Sequence, residues 1–166
     1  MKDRQIFGVG VAFPAREKEQ KKKEDGGKKG EKAPDAKAMA EKQARKELAA
    51  QVEGWTAVVN RAMAREMAKK FKDGRKGALS LLQEAAAGLP SAAADKAEVR
   101  ARWTCGVTAE AFCRVALTED RLASMYMKRA ARAAQKKDTA KALKVKPDEF
   151  VSALKKDRLM SIPPSG

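Results

Sequence analysis

An apolar seam at helical spacing constrains the fold of this 166-residue chain more than any other feature. Its members recur every three or four residues: Val52, Trp55, Val59, Met63, Met67 and Phe71. Residues at this spacing share one side of a helix, and that side must pack against a core. Pro34-Asp35 is a helix-start signal and Asp73-Gly74 is a stop signal, so the sequence predicts one long Ala-rich helix from just after Asp35 to about Lys72.

Further helices are predicted from caps and apolar spacing at about 78–87, 92–103 and 108–137, and from Pro147 onward. Thr118-Glu119-Asp120 also has the pattern of a helix N-terminus, and an alternative interpretation divides the 108–137 helix there. Because 33 residues are Ala, which contributes little buried area, the expected fold is mainly α, a bundle of about five helices around a thin core.

The first 15 residues are predicted to form a short strand-like anchor. Large apolar residues alternate with Gly or Ala from Phe7 to Phe13, and strict alternation is typical of a strand. The small residues would let another backbone or a flat surface approach closely. Since no second strand is evident, we expect this strand to join a neighbour's sheet edge or to lie in a groove.

Residues 16–37 are a basic, charged low-complexity segment that connects the anchor to a predicted helical domain at 38–166. Its composition is typical of a solvated linker, and it is also compatible with a basic arm that orders against phosphate or another acidic surface. Interleaved Glu residues weaken the second interpretation, and the sequence leaves both open.

Cationic side chains are concentrated in two stretches. Between Lys128 and Lys146 there are eight cations and one acid, and between Arg61 and Lys76 there are seven cations and two acids. Like charges four residues apart destabilise a helix unless a counter-charge is supplied, so we predict an anion-docking surface. The predicted nucleic-acid-binding residues are Arg61, Arg65, Lys69, Lys72, Arg75, Lys76, Lys128, Arg129, Arg132, Lys136, Lys137, Lys141, Lys144 and Lys146.

The two tryptophans receive different assignments. Trp55 lies on the apolar seam, so it is assigned to the core. Trp103 ends a predicted helix beside Arg100 and Arg102, and two interpretations remain open for it. It either covers the core or stands as an exposed ring among cations.

Several kinds of chemistry are excluded by composition. The chain has no His, which rules out a Cys/His zinc site and a nucleophile–His pair. No other catalytic constellation stands out, so we expect neither an enzyme nor a bound cofactor or metal. Cys105 and Cys113 fit no metal-ligand spacing and are interpreted as reduced thiols of an intracellular protein. No stretch approaches 18 consecutive apolar residues, so no membrane span is expected.

A formal net charge of +15 and a pI near 10.0 direct the functional hypotheses toward acidic partners within a larger assembly. The leading hypothesis is a structural component of a ribosome-like ribonucleoprotein that docks on the RNA phosphate backbone. RNA is favoured over DNA, and DNA packaging is the weaker variant. The alternative is a structural protein on an acidic protein lattice, such as microtubules or a ciliary assembly.

Overall fold

The computed structural model describes residues 4–14 and 35–156, and in these ranges the chain is mainly helical with a short three-stranded sheet. The elements are β1 (Gln5–Ala12), α1 (Ala36–Met67), a 3-10 turn (Ala68–Lys70), α2 (Gly74–Ala86), α3 (Leu89–Lys96), β2 (Glu98–Thr104), β3 (Ala111–Thr118), α4 (Glu119–Gln135), α5 (Lys137–Ala142) and α6 (Pro147–Lys156). The mainly helical character is confirmed. The predicted charged segment lies outside the described residues, apart from 35–37, where α1 begins.

The core follows α1 along its length. This helix begins after Asp35, whose carboxylate accepts a 3.2 Å hydrogen bond from the backbone N–H of Lys37. All six residues of the predicted apolar seam are buried, and Trp55, at 8% exposed, is the least buried of them. The Trp55 ring meets the Tyr126 ring of α4 edge-on, with centroids 5.9 Å apart. The assignment of Trp55 to the core is therefore confirmed.

The sheet has the strand order β1-β3-β2, with antiparallel pairing throughout. Gln5 of β1 is paired with Thr118 of β3, and Phe112 of β3 is paired with Trp103 of β2. The expectation that the first strand needs a neighbour's sheet or a groove is therefore wrong. Its partner is a strand of the same chain, more than a hundred residues later in the sequence.

The prediction of helix over 98–103 and 108–117 is also wrong, because these residues contribute to β2, β3 and the turn between them. Phe112 and Val115 are three apart, as on a helix, but Cys113, Val115 and Leu117 also alternate along one strand face. Short apolar runs fit both periods. Pairing of β3 with strands on both sides satisfies its backbone groups and decides in favour of the sheet.

The alternative start at Thr118 is confirmed. The Thr118 hydroxyl accepts a 3.3 Å hydrogen bond from the backbone N–H of Arg121, and Glu119 and Asp120 occupy the first turn of α4. Acidic residues there complement the helix dipole. Leu122 and Tyr126, predicted as inner-face residues of this helix, are buried.

The close approach predicted for the small residues of the first strand is confirmed, and the backbone that approaches is α1. A Cβ added to Gly8 would overlap the carbonyl oxygen of Ala44, and one added to Gly10 would overlap that of Ala40. Glycine is required here because the strand and helix backbones touch. This contact fixes the sheet against the N-terminal half of α1 and leaves its opposite face outward.

Candidate polyanion-binding surface

A short backbone bridge joins the two cationic stretches of the sequence. Phe71, just after the 3-10 turn, is paired antiparallel with Leu143, just after α5. The Lys72 N–H donates to the Ala142 carbonyl at 2.9 Å, and the Lys144 N–H donates to the Lys70 carbonyl at 2.8 Å. Residues that are about seventy positions apart in the chain are thereby placed side by side.

Apolar packing beneath the bridge holds it in place. Phe71 and Leu143 are both buried, and the Phe71 ring meets the Phe150 ring of α6 edge-on, with centroids 5.4 Å apart. Side chains next to a buried residue of an extended segment point the opposite way, which turns the flanking lysines toward solvent. We call Lys70, Lys72, Lys144 and Lys146 the bridge cluster. Lys70 is half-buried and the other three are exposed.

Lys70 and Lys144 occupy opposite positions across this bridge, and none of the residues paired at the bridge is acidic. Like charges directly opposite each other on paired strands are destabilising. Sequence reasoning counted Lys70 in the local charge surplus but did not select it as a binding residue. The signal that would select it is the pairing with residues 142–144, which no local pattern encodes.

Three predicted cations, Arg61 and Arg65 of α1 and Lys69 of the 3-10 turn, continue from the bridge cluster along the helical axis, and we call them the α1 stripe. Arg61, Arg65 and Lys69 are exposed, whereas the seam residues Met63 and Met67 are buried. The Arg61 Nε donates to the Ala57 carbonyl of its own helix at 3.2 Å, which leaves the guanidinium at the surface. This stripe and the bridge cluster therefore lie at the same end of the molecule.

Two of the predicted binding residues make contacts within the fold. Arg129 is half-buried, and its guanidinium donates to the carbonyls of Ala87 and Gly88 at 2.7 and 3.4 Å, where α2 ends. Lys136 forms an ion pair with Glu84 of α2. The remaining predicted cations of the second stretch are all exposed: Lys128, Arg132, Lys137, Lys141, Lys144 and Lys146.

Ion pairs within the described ranges involve little of this surface. Cations in such pairs are Arg45, Arg100, Arg102, Arg121 and Lys136, and only the last was predicted to bind an anion. Arg75 and Lys76 lie in the first turn of α2, which contains no acidic residue. The positive end of the helix dipole adds to their charge rather than offsetting it. Asp73, immediately before α2, is the nearest acid in sequence.

A second feature was missed by sequence reasoning because it depends on strand pairing. The outward side of the sheet, which we call the outer sheet face, carries Phe7, Val9, Val11, Trp103, Phe112 and Arg114. Trp103 is 46% exposed, which decides between the two interpretations of this residue in favour of an exposed ring. The period-two alternation over 111–118 is the nearest sequence signal, but it does not give the pairing that brings Trp103 and Phe112 together.

The cysteines lie on the β2–β3 hairpin and are both free thiols. Burial raises the pKa of the Cys113 thiol above its usual value, whereas hydrogen bonds from Thr108 lower the pKa of the Cys105 thiol. No group of three or more acidic or cysteine side chains that could hold a metal occurs in residues 4–14 and 35–156. None of the helices in those ranges is long and apolar enough to cross a membrane.

Comparison of the chain with protein-family models, with curated proteins and with solved structures finds no match.

Proposed function

We propose that this chain is a non-catalytic component of a ribonucleoprotein that docks on the phosphate backbone of RNA through the bridge cluster and the adjoining α1 stripe. In this proposal the helices are the rigid body that presents the surface. The basic low-complexity segment is an additional phosphate-binding arm.

The opposition of Lys70 and Lys144 is the observation that carries the proposal. A chain selected for stability alone would place an acid at one of these positions, because opposite charges across paired strands are favourable. Two lysines facing each other are expected to repel in the free protein, and an anion bound between them would offset that repulsion. Functional surfaces often retain such locally unfavourable arrangements.

Phosphate fits the type of cation present. Three of the four bridge-cluster positions are exposed lysines, whose ammonium groups act as point charges toward phosphate and lack the planar fork that reads base edges. The surface therefore favours backbone contacts over sequence readout. If four phosphates are neutralised on duplex RNA, affinity should fall roughly 10²-fold between 50 and 200 mM salt.

The test measures binding of the full chain to duplex RNA, duplex DNA and a tubulin polymer in parallel, with a salt titration on each. The key variant reverses the bridge cluster (Lys70→Glu, Lys72→Glu, Lys144→Glu and Lys146→Glu). The matched control reverses four exposed basic residues outside this surface and outside the charged segment (Arg4→Glu, Lys42→Glu, Lys46→Glu and Lys96→Glu), so both variants have the same net charge.

We expect the bridge-cluster variant to lose most RNA affinity and most of its salt dependence, while the control loses little. Equal losses in the two variants would mean that net charge alone drives binding, and would contradict a localised surface. Binding to the tubulin polymer without binding to RNA would contradict the proposal in favour of an acidic protein partner.

The outer sheet face favours a second candidate, a structural protein on an acidic protein lattice. Val9, Val11 and Phe13 are exposed, and apolar contacts of this kind are typical of protein interfaces and are not needed to hold phosphate. Nuclease digestion of the native assembly separates the two candidates. A chain held by RNA leaves its particle after digestion, whereas a lattice-bound chain stays.

A further inference from the structure

The outer sheet face presents an arrangement of rings that the proposed function does not use. Val11, Phe112 and Trp103 form one row across the three strands, and Val9 and Arg114 belong to the next row. The opposite side of the same strands packs on α1, so these side chains point away from the helices. Trp103 and Phe7 remain 46% and 39% exposed.

Two ring contacts make this face suited to flat partners. The Trp103 ring is stacked on the Phe112 ring, with 2° between their planes and 5.2 Å between their centroids. The Arg114 guanidinium lies 5.1 Å from the centroid of the Phe7 ring. Proteins that bind single-stranded nucleic acid offer exposed aromatic rings of this kind to the bases and cations to the backbone.

The charges on the face select among possible occupants. Arg114 is exposed in the row that contains Val9. The acid of the following row, Glu98 opposite Ala116, is already paired with Arg100 at 3.2 Å and Arg121 at 3.3 Å. A second copy docked face to face would bury Arg114 with no free carboxylate in these rows, which is unfavourable. A nucleotide strand supplies bases for the rings and a phosphate for Arg114.

We infer that the outer sheet face binds an unpaired stretch of RNA, with bases stacked on Trp103 and Phe7 and a phosphate contacting Arg114. The inference takes the identity of the polyanion from the proposed function and adds a second surface that requires unpaired bases. The two surfaces lie far apart on the molecule. Leu48, which contacts Gly8 beneath the sheet, is 21 residues from Lys69 beside the bridge cluster, or about 32 Å along a helical path. The two surfaces can therefore be tested separately.

The test titrates the full chain with a short labelled single-stranded RNA and, separately, with duplex RNA. Trp103→Ala should lower single-strand affinity about tenfold, and Trp103→Phe should restore most of it, because a ring remains for stacking. Phe7→Ala should also weaken single-strand binding. Met39→Ala, which removes an exposed apolar side chain of α1, is the matched control and should have no effect.

Intrinsic fluorescence gives an independent reading, because Trp103 is exposed and Trp55 is buried. Single-stranded RNA should quench the emission of the wild-type chain and leave the emission of Trp103→Ala unchanged. Circular dichroism melts of each variant establish that the fold is retained.

The inference would be overturned if folded Trp103→Ala and Phe7→Ala variants bound single-stranded RNA with wild-type affinity. The proposed function would still stand in that case if reversal of the bridge cluster abolished duplex binding. Failure of the chain to bind any RNA would overturn both. A Trp103-dependent dimer in sedimentation, without Trp103-dependent RNA binding, would overturn the inference in favour of a second copy of this chain.

Discussion

The Tyr126 hydroxyl donates a 2.6 Å hydrogen bond to the Asn60 side-chain carbonyl, and both residues are buried between α4 and α1. Both helices carry cations that were predicted to bind an anion, Arg61 and Arg65 on α1 and Lys128, Arg129 and Arg132 on α4. Because neither polar group has access to water, each depends on the other, and the pair fixes the rotation of α4 relative to α1.

Tyr126→Phe should destabilise the fold by about 1–3 kcal/mol, because it leaves the Asn60 carbonyl buried without a donor. The measurement is the free energy of unfolding in urea. Asn60→Ala and the double variant complete a mutant cycle. Additive effects of the two single substitutions would contradict the pairing.

The same tyrosine predicts a pH dependence. Burial raises the pKa of the Tyr126 hydroxyl above its usual value near 10. Above about pH 10 the unfolded phenol loses its proton while the buried phenol retains it, so high pH favours unfolding. The stability advantage of the wild type over Tyr126→Phe should be constant below about pH 10 and shrink above it. Titrating lysines affect both chains and cancel in the difference.

Substitution of two glycines should have opposite effects, because Gly10 lies at the contact between β1 and α1 and Gly54 does not. Gly10→Ala should destabilise the fold by about 3 kcal/mol, because the added methyl group overlaps backbone atoms of α1. Gly54→Ala should stabilise it by about 0.5–1 kcal/mol, because Gly54 lies within α1 and a Cβ there meets no atom within 4 Å. Thermal melts of the two variants provide the comparison. A tolerated Gly10→Ala would mean that the strand does not lie against the helix.

Lys70→Glu should change stability and binding in opposite directions. An opposite charge facing Lys144 should stabilise the bridge by about 0.2–1 kcal/mol, while the loss of a cation weakens RNA binding. Chemical denaturation and RNA titration of one preparation test both effects. Lys96→Glu, outside this surface, serves as the control. Lower stability together with weaker binding would indicate that Lys70 supports the fold rather than an anion.

Arg129 and Arg132 should have different roles, although they lie three residues apart on α4. Arg129→Ala should cost about 1 kcal/mol of stability, because two carbonyl groups at the end of α2 lose their donor. Arg132→Ala should leave stability within about 0.5 kcal/mol and reduce the salt slope of RNA binding by about one, if this exposed cation contacts a phosphate. Identical behaviour of the two variants would contradict this division.

Local signals were sufficient where a residue's neighbours in sequence determine its structure. The spacing from Val52 to Phe71 identified the buried side of α1, and Thr118 marked a possible helix start. The sheet could not be predicted from local signals alone. The apolar pattern of β3 fits both a helix and a strand, and pairing with β1 near residue 5 decides between them. The helical prediction failed there for that reason.

The candidate site was likewise only partly predictable from local sequence. The charge surplus identified most of the cations of the candidate surface, because it can be counted within a single stretch of sequence. The opposition of Lys70 and Lys144 arises from the Phe71–Leu143 pairing, and the ring arrangement of the outer sheet face arises from the strand register. Neither can be read from residues that are adjacent in sequence.

The pairing of Gln5 with Thr118 also sets an order of events during synthesis on the ribosome. β1 emerges well before the residues that complete its sheet, and at about 5–20 residues per second it waits roughly 5 to 20 s for β3. In that interval α1 can already form, whereas the alternating Gly and Val strand has an unpaired edge. Closing so long a loop also delays the sheet relative to the helices. Nascent chains that end before residue 111 therefore lack a native partner for this strand, and a chaperone that recognises extended apolar segments would find it there.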